Sequence, residues 1–406
     1  MSTLFDVAIV GGGMVGGSLA CALSGHGLRV VLVEAHVLSA DQQPGYDDRT
    51  VALAYGSRRI FQGLGLWQAM AADACAIEKI HVSERGGWGF ARLDAKSQAV
   101  PALGYVTPAR SIGHALAGRL DKLGDVDLLS PARLTTLTRT GSCMSLGIDR
   151  GDETVQLDAR LLVAADGTNS RVRELLGVKA TERAYGQMAV TANISPEEPH
   201  RHVAFERFSL DGPMALLPMT ENRCALVYTV QDGAEHELLA LDDEAFMERV
   251  QQRFGFRLGR FIQVGRRNAH SLTMLRSHEH ARPGVAIIGN AAHALHPVAG
   301  QGFNLGLRDV AALAEVVVSA HRNGEAIGGM SVLERYARWR RGDQVRTLGF
   351  TDALVRLFGN PLPPIRLARE LGLLAFDRLP AAKRLFGRNA MGIGDTQPKL
   401  ARGVPL

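Results

Sequence analysis

Phe5-Asp6-Val7-Ala8-Ile9-Val10-Gly11-Gly12-Gly13-Met14-Val15-Gly16 is the stretch on which the fold of this 406-residue chain turns. Residues 5–10 are a short apolar run of the kind that forms a buried parallel strand. Gly11, Gly13 and Gly16 then fit the G-x-G-x-x-G spacing, and a helical stretch over 18–24 is closed by Gly25 and Gly27. Residues 28–33 read as a second strand, ending at Glu34. Gly11 permits a tight turn, Gly13 lets backbone amides approach a pyrophosphate, and Gly16 lets helix and strand pack closely. The helix N-terminus attracts the phosphate charge. Glu34 stands 23 positions after Gly11, where a carboxylate accepts both hydroxyls of an adenosine ribose and disfavours a ribose phosphate. Such a site suits FAD or NAD better than NADP, and the motif by itself does not separate the first two.

Two more glycine motifs follow strands further along. Residues 161–165, Leu-Leu-Val-Ala-Ala, run into Asp166-Gly167-Thr168-Asn169-Ser170-Arg171-Val172-Arg173. Alone, this reads as readily as an Asp-Gly turn before a capped helix. Residues 285–288 run into Gly289-Asn290-Ala291-Ala292-His293, then His296-Pro297, then Gly300-Gln301-Gly302-Phe303-Asn304-Leu305-Gly306, with a helix from about Leu307. Small residues crowded before a helix N-terminus allow close backbone approach to a ligand.

Together the three motifs resemble the aromatic-ring hydroxylase family of FAD-dependent monooxygenases. The resemblance implies that the first motif holds the adenosine diphosphate of FAD and that Asp166, Gly167 and Arg173 lie near the pyrophosphate. It also implies that Asn290, Ala292, Pro297, Gly300, Gly302 and Asn304 wrap the ribityl chain and face the isoalloxazine. Asn290 stands where the family usually has Asp; its amide still accepts and donates. In Pro44-Gly45-Tyr46-Asp47-Asp48-Arg49 the arginine matches a position beside the flavin, and Arg110 matches another FAD contact. Ala204-Phe205-Glu206-Arg207-Phe208, Gly212-Pro213-Met214-Ala215-Leu216-Leu217-Pro218 and Thr351-Asp352-Ala353-Leu354 resemble the ubiquinone-biosynthesis branch, nearest its hydroxylases of 2-polyprenyl-6-methoxyphenols.

The implied fold is α/β: a discontinuous Rossmann-like FAD-binding domain (1–178 and 270–345), an inserted antiparallel β-sheet substrate domain (179–269) and a helical C-terminal region (346–406). The apolar run 224–230 after the turn-like 220–223 suits a strand of that sheet. The basic segment 334–341 reads as helix. Leu367, Leu371 and Leu374 share a helical face at i, i+4, i+7, a stripe that is usually core and otherwise meets a partner or anionic lipid.

Hydrophobic residues make up 46% and charged residues 21% of the chain, which excludes wholesale disorder. The net charge of +5 is too small to select an anionic partner, and nucleic-acid binding has no other support. The four cysteines are scattered without CxxC pairs, so neither a disulfide framework nor structural zinc is expected. The N-terminus lacks the pattern of a signal peptide and no run suits a membrane-spanning helix, so a cytoplasmic protein, or one peripheral to the inner face of the membrane, is expected.

By resemblance, reduced flavin and O2 give a flavin hydroperoxide that hydroxylates a polyprenylated methoxyphenol. NAD(P)H or a protein electron donor supplies the electrons. The oxygen chemistry belongs to the cofactor, so no general base is named; His293 and His296 read as packing or capping residues before proton relays. Competing readings are a sister hydroxylase at another ring position, a flavin oxidase or reductase without oxygen insertion, and a flavin-binding scaffold among other ubiquinone-biosynthesis proteins.

Overall fold

The computed structural model describes residues 3–37, 49–295, 300–394 and 396–406. Pro44 to Asp48, His296 and Pro297 lie outside the described residues. Five strands form a parallel sheet in the spatial order Val285–Ile287, Thr154–Ala164, Thr3–Val10, Val30–Val33, Val126–Leu129. Both faces of this sheet are covered, which explains its near-continuous apolar runs. Val7, Ile9, Val30, Leu32, Leu161 and Val163 face the helices Met14–Leu23, Ala109–Leu120 and Gln301–Arg322. Their neighbours Ala8, Val10, Val31, Val33, Leu162 and Ala164 face the strand Cys143–Asp149 and Val172. Each fully buried Val, Ile or Leu contributes about 1.5–3 kcal/mol.

Among the described residues a second sheet has nine strands. Its centre is antiparallel: Asn268–Ser277, Ala180–Pro196, Cys224–Gln231, Met214–Pro218 and Val203–Phe208 lie side by side. Helix Asp243–Phe254 buries Phe246, Val250 and Phe254 on one face. The sheet is wider than the expected 179–269 segment. Lys79–Glu84 joins Val203–Phe208 in parallel, Phe90–Asp94 joins Lys79–Glu84, and His293–Ala294 closes the far edge. Strand pairing is non-local, and nothing in residues 79–94 alone specifies which sheet they join.

Other element boundaries also differ from expectation. The first helix starts at Met14 rather than near residue 18, and the later one at Gln301 rather than Leu307. Glycines weaken helix propensity, but Gly16 and Gly306 are held by packing against the glycine loops, and tertiary contact overrides the local preference. Helix Met330–Phe358 runs across the expected boundary at 345/346.

Helix Pro363–Arg378 corrects the reading of the leucine stripe as core. Leu367 and Leu371 are 55% and 54% exposed, and Leu374 is half-buried. The inward face is the one carrying Ile365, Arg369, Gly372, Leu373 and Phe376, which line a cavity beneath the helix. Arg369 pins that face down: its guanidinium donates to both oxygens of Glu84, with both side chains buried. Glu370 accepts from the Gly89 amide next to it.

Candidate functional site

The three glycine motifs converge at the C-terminal ends of the parallel strands. Gly11 adopts φ +103°, and a Cβ there would stand 2.5 Å from the Ala165 carbonyl oxygen, so the first motif lies against the second. A Cβ on Gly16 would stand 1.9 Å from the Gly11 oxygen. A Cβ on Gly289 would stand 3.0 Å from Val15, and one on Gly306 3.2 Å from the Gly289 Cα, which joins the third motif to the first. Arg173 ties the second to the third: its buried guanidinium donates to the carbonyls of Ala291 at 2.6 Å and Thr168 at 2.7 Å. The sequence resemblance placed Arg173 near a pyrophosphate; its guanidinium is committed to backbone carbonyls.

A bound dinucleotide fits the groups left over. Gly13 caps the Met14–Leu23 helix, and a Cβ added there meets nothing within 4 Å. Gly302, in the first turn of the Gln301–Arg322 helix, is open in the same way. Two helix N-termini thus face space that a side chain in place of glycine would fill. Asp166 accepts from the Val172 amide with Oδ2, while its buried Oδ1 has no partner among the described residues. Burial raises its carboxyl above the usual range against the hydrogen bonds of Ser170 and Val172. A ligand hydroxyl would satisfy that oxygen. Gly167, at φ +82°, also has open space at its Cβ position.

Glu34 directly follows strand Val30–Val33 and accepts the Gly12 amide at 2.6 Å and the His36 amide at 2.9 Å. Its carboxylate therefore braces the glycine turn. Arg49 is exposed, and its carbonyl accepts the Ala109 amide, which places it beside Arg110 at the start of the Ala109–Leu120 helix. Asn290 is exposed on the short turn Gly289–Ala291. Asn304 is spent on protein. Its Oδ1 accepts from Ala54, and its Nδ2 donates to the Ala52 and Gly300 carbonyls, leaving no free donor. It clamps strand Thr50–Ala54 against the helix N-terminus. Ala292 is buried, its carbonyl accepting from Ser277.

His293 is fully buried and bonds through Nε2 to Asp309 Oδ2 at 2.6 Å. Asp309 also accepts from Arg340 Nε at 2.7 Å, the Gln344 amide at 3.1 Å and the Gly289 backbone amide at 3.2 Å. Burial alone would raise the Asp309 carboxyl, but His293 and Arg340 beside it hold it below the usual range. Arg340 and Arg308 both reach Asp343. This network joins the third glycine motif to helices Gln301–Arg322 and Met330–Phe358. The sequence reading passed over it, treating 334–341 as a basic helix. The available signal was Arg308-Asp309 inside an otherwise apolar helical run, where a charged pair needs buried partners.

Beside this cleft lies an apolar cavity of about 1270 Å³. One end reaches Ala52, Gly300 and Asn304; the other passes Phe208 and Leu217 to Leu357, Leu373 and Phe376 of the C-terminal helices. Drug-sized pockets are about 300–1,000 Å³. This one has the volume for a ring with an apolar tail.

A dinucleotide cleft on a parallel sheet, roofed by a second sheet over an apolar cavity, defines a cofactor enzyme that handles a hydrophobic substrate. The chain belongs to the FAD binding domain family, whose profile matches residues 4–347. It is 42% identical over 404 residues, 99% of this chain and 93% of the relative, to ubiquinone hydroxylase UbiL of Rhodospirillum rubrum. It is 34% identical to 3-demethoxyubiquinol 3-hydroxylase of Escherichia coli, covering 96% of this chain and 98% of that one. Among solved structures, p-nitrophenol 4-monooxygenase PnpA of Pseudomonas putida shares the fold, with a TM-score of 0.80 at 19% identity over 98% of this chain and 100% of that one.

Proposed function

We propose that this protein is an FAD-dependent monooxygenase that hydroxylates the aromatic ring of a polyprenylated methoxyphenol in ubiquinone biosynthesis. The cavity carries the reading, because its apolar walls run from the cofactor cleft to the C-terminal helices. The names of the two relatives support the substrate class. Bound FAD supplies electron transfer and oxygen activation, with electrons from NAD(P)H or a protein donor. Gly11, Gly13 and Gly16 would hold the pyrophosphate over the first helix end, and Glu34 the adenosine ribose. Asp166 Oδ1, Gly167 and Asn290 would meet the ribityl chain. Arg49, Arg110, Gly300 and Gly302 would border the ring. Amides at the start of the Gln301–Arg322 helix favour negative charge in front of them. Asn304 acts through the strand it clamps.

In cells lacking this protein, mass spectrometry is expected to show the prenylated methoxyphenol accumulating, with ubiquinone restored when the gene is returned. Accumulation of a different hydroxylation precursor would move the assignment to a sister ring position. An unchanged quinone pool, with no redundant hydroxylase present, would overturn the pathway.

The C-terminal helices bear on where the substrate comes from. Among the described residues no helix is long and apolar enough to cross a membrane. Yet Leu357, Leu362, Leu367, Leu371, Leu379 and Leu385 are exposed, and Leu357 also lines the cavity. Arg356, Arg366, Arg378, Arg384 and Arg388 are exposed among them. We infer that this face rests on an anionic lipid surface, from which the tail enters the cavity. Co-sedimentation with anionic vesicles is expected, and Leu367→Ser and Leu371→Ser should each weaken it roughly tenfold. Wild-type protein that stays unbound at low salt would leave the face to a partner protein of the pathway.

A further inference from the structure

Strand Val203–Phe208 alternates between two surfaces. Phe205 packs edge-on against Phe254 of helix Asp243–Phe254, with ring centroids 5.3 Å apart. Ala204, Glu206 and Phe208 take the opposite face, which lines the cavity. Across the sheet Glu206 sits in one row, Ala91–Val82–Glu206–Ala215–Val227, whose every member lines the cavity. One carboxyl thus interrupts a row of small and β-branched apolar side chains.

That carboxyl makes no hydrogen bond or ion pair with any described residue, and burial pushes it up to about 7. The charged groups around it are committed elsewhere. On the neighbouring strands His81, Arg92 and Arg207 share the Phe205 face by register, and Glu84 is paired with Arg369. From the helical side Arg308 and Arg340 pair with Asp343, and Arg346 has its own partner. An unpaired carboxyl in an apolar wall costs stability. A neutral apolar residue would fill the position without that cost, so a ligand group is the missing partner.

We propose that Glu206 binds the phenolic hydroxyl of the substrate and takes its proton as the ring is hydroxylated, an inference that rests on the hydroxylase reading above. The proton passes from the phenol oxygen to a Glu206 oxygen, and the O–H electron pair remains on the substrate and spreads into the ring. An ortho or para ring carbon then forms its new bond to one oxygen atom of O2. The hydrogen on that carbon leaves as a proton when aromaticity returns. The second oxygen leaves as water, consuming two electrons from the reductant and two protons. Glu206 gives its proton to solvent between turnovers. A general base works best with a pKa near the working pH. Below about pH 7 the carboxyl is protonated and cannot accept, so turnover falls as pH drops through that value.

The test uses FAD-loaded enzyme with a short-tailed prenylated phenol and its methyl ether, which has no proton to donate. Glu206→Gln keeps shape and an acceptor but not the base. It is expected to keep its flavin and melting temperature, to lower kcat by about 10²–10⁴-fold and to lose the acid limb of the pH profile. Glu206→Ala is expected also to lose the preference for phenol over ether in binding, read from the flavin absorbance change, a preference of about tenfold or more in the wild type. A Gln variant within about twofold of wild type across the pH range, or an Ala variant that keeps the preference, overturns the role of Glu206 alone. Wild-type enzyme that neither binds nor hydroxylates the phenol overturns the hydroxylase reading and this role with it.

Discussion

Gly13→Val is expected to give folded but colourless protein, whereas Gly16→Ala is expected to lose stability. The two glycines stand three residues apart in one motif, yet they are glycine for different reasons. Gly13 has φ −62° and ψ −175°, extended backbone that any residue adopts, and its Cβ position is empty. The Cβ of a valine there meets no described atom within 4 Å. It fills the space in front of the helix N-terminus where the pyrophosphate is proposed to lie. A Cβ on Gly16 would instead press to 1.9 Å from the Gly11 oxygen and force the helix off the sheet. Overpacking of that kind costs about 1–3 kcal/mol, occasionally more, and here it falls on backbone that cannot yield. The ratio of flavin to protein after desalting, set beside circular dichroism and a melting curve, reads both outcomes. A Gly13→Val protein with a full complement of FAD would place the pyrophosphate elsewhere.

Asp309→Ala is expected to be the most damaging single change outside the glycine loops. It removes the acceptor shared by His293, Arg340, Gln344 and the Gly289 amide, all inside the protein. Breaking one partner from a buried ion pair costs about 3–5 kcal/mol, because the other charge is left uncompensated. That corresponds to a fall in Tm of roughly 4–6 °C for a chain of this length. Asp309→Asn keeps the shape and loses the charge, so it should fall between the two proteins. The pH dependence carries a sign that packing alone would not. The folded carboxyl is depressed, so its contribution to stability is complete above the unfolded carboxylate range and is lost only as pH falls through the folded value. Asp309→Asn should lack that acid-side component. A melting profile for Asp309→Ala within about 1 °C of wild type would mean the network is not coupled to global stability.

The parts legible in the chain were local ones. Strand, glycine turn, helix and terminal acid follow one another within residues 5–34, and each is readable because its constraint acts between near neighbours. The same holds for the strands before Asp166 and Gly289. Asp166 was named by its motif, but the orphan oxygen that makes it available to a ligand appears only once burial is known. Asn304 shows the converse. Its motif pointed to the flavin, and the fold spends its amide on Ala52, Ala54 and Gly300, some 250 residues away or one turn back.

What lay beyond reach depended on long-range pairing. Lys79–Glu84 pairs with Val203–Phe208 and brings Phe90–Asp94 into the same sheet, and no local pattern announces a partner that distant. Leu367, Leu371 and Leu374 form a proper helical stripe, but helix Pro363–Arg378 carries a second one through Ile365, Leu373 and Phe376. Periodicity ranks both as candidates for burial, and anchors on another part of the chain, the buried Arg369–Glu84 pair and the Glu370–Gly89 hydrogen bond among them, decide which turns inward. Glu206 likewise stands in the chain as an ordinary alternating strand residue. Its meaning comes from four neighbours on four other strands, and from a cavity that exists only when both sheets and the C-terminal helices are assembled. The sequence determined the cofactor cleft, because a phosphate turn is built from a few consecutive residues. The tertiary structure decided the substrate cavity, because a wall is built from side chains that share a surface and not a segment.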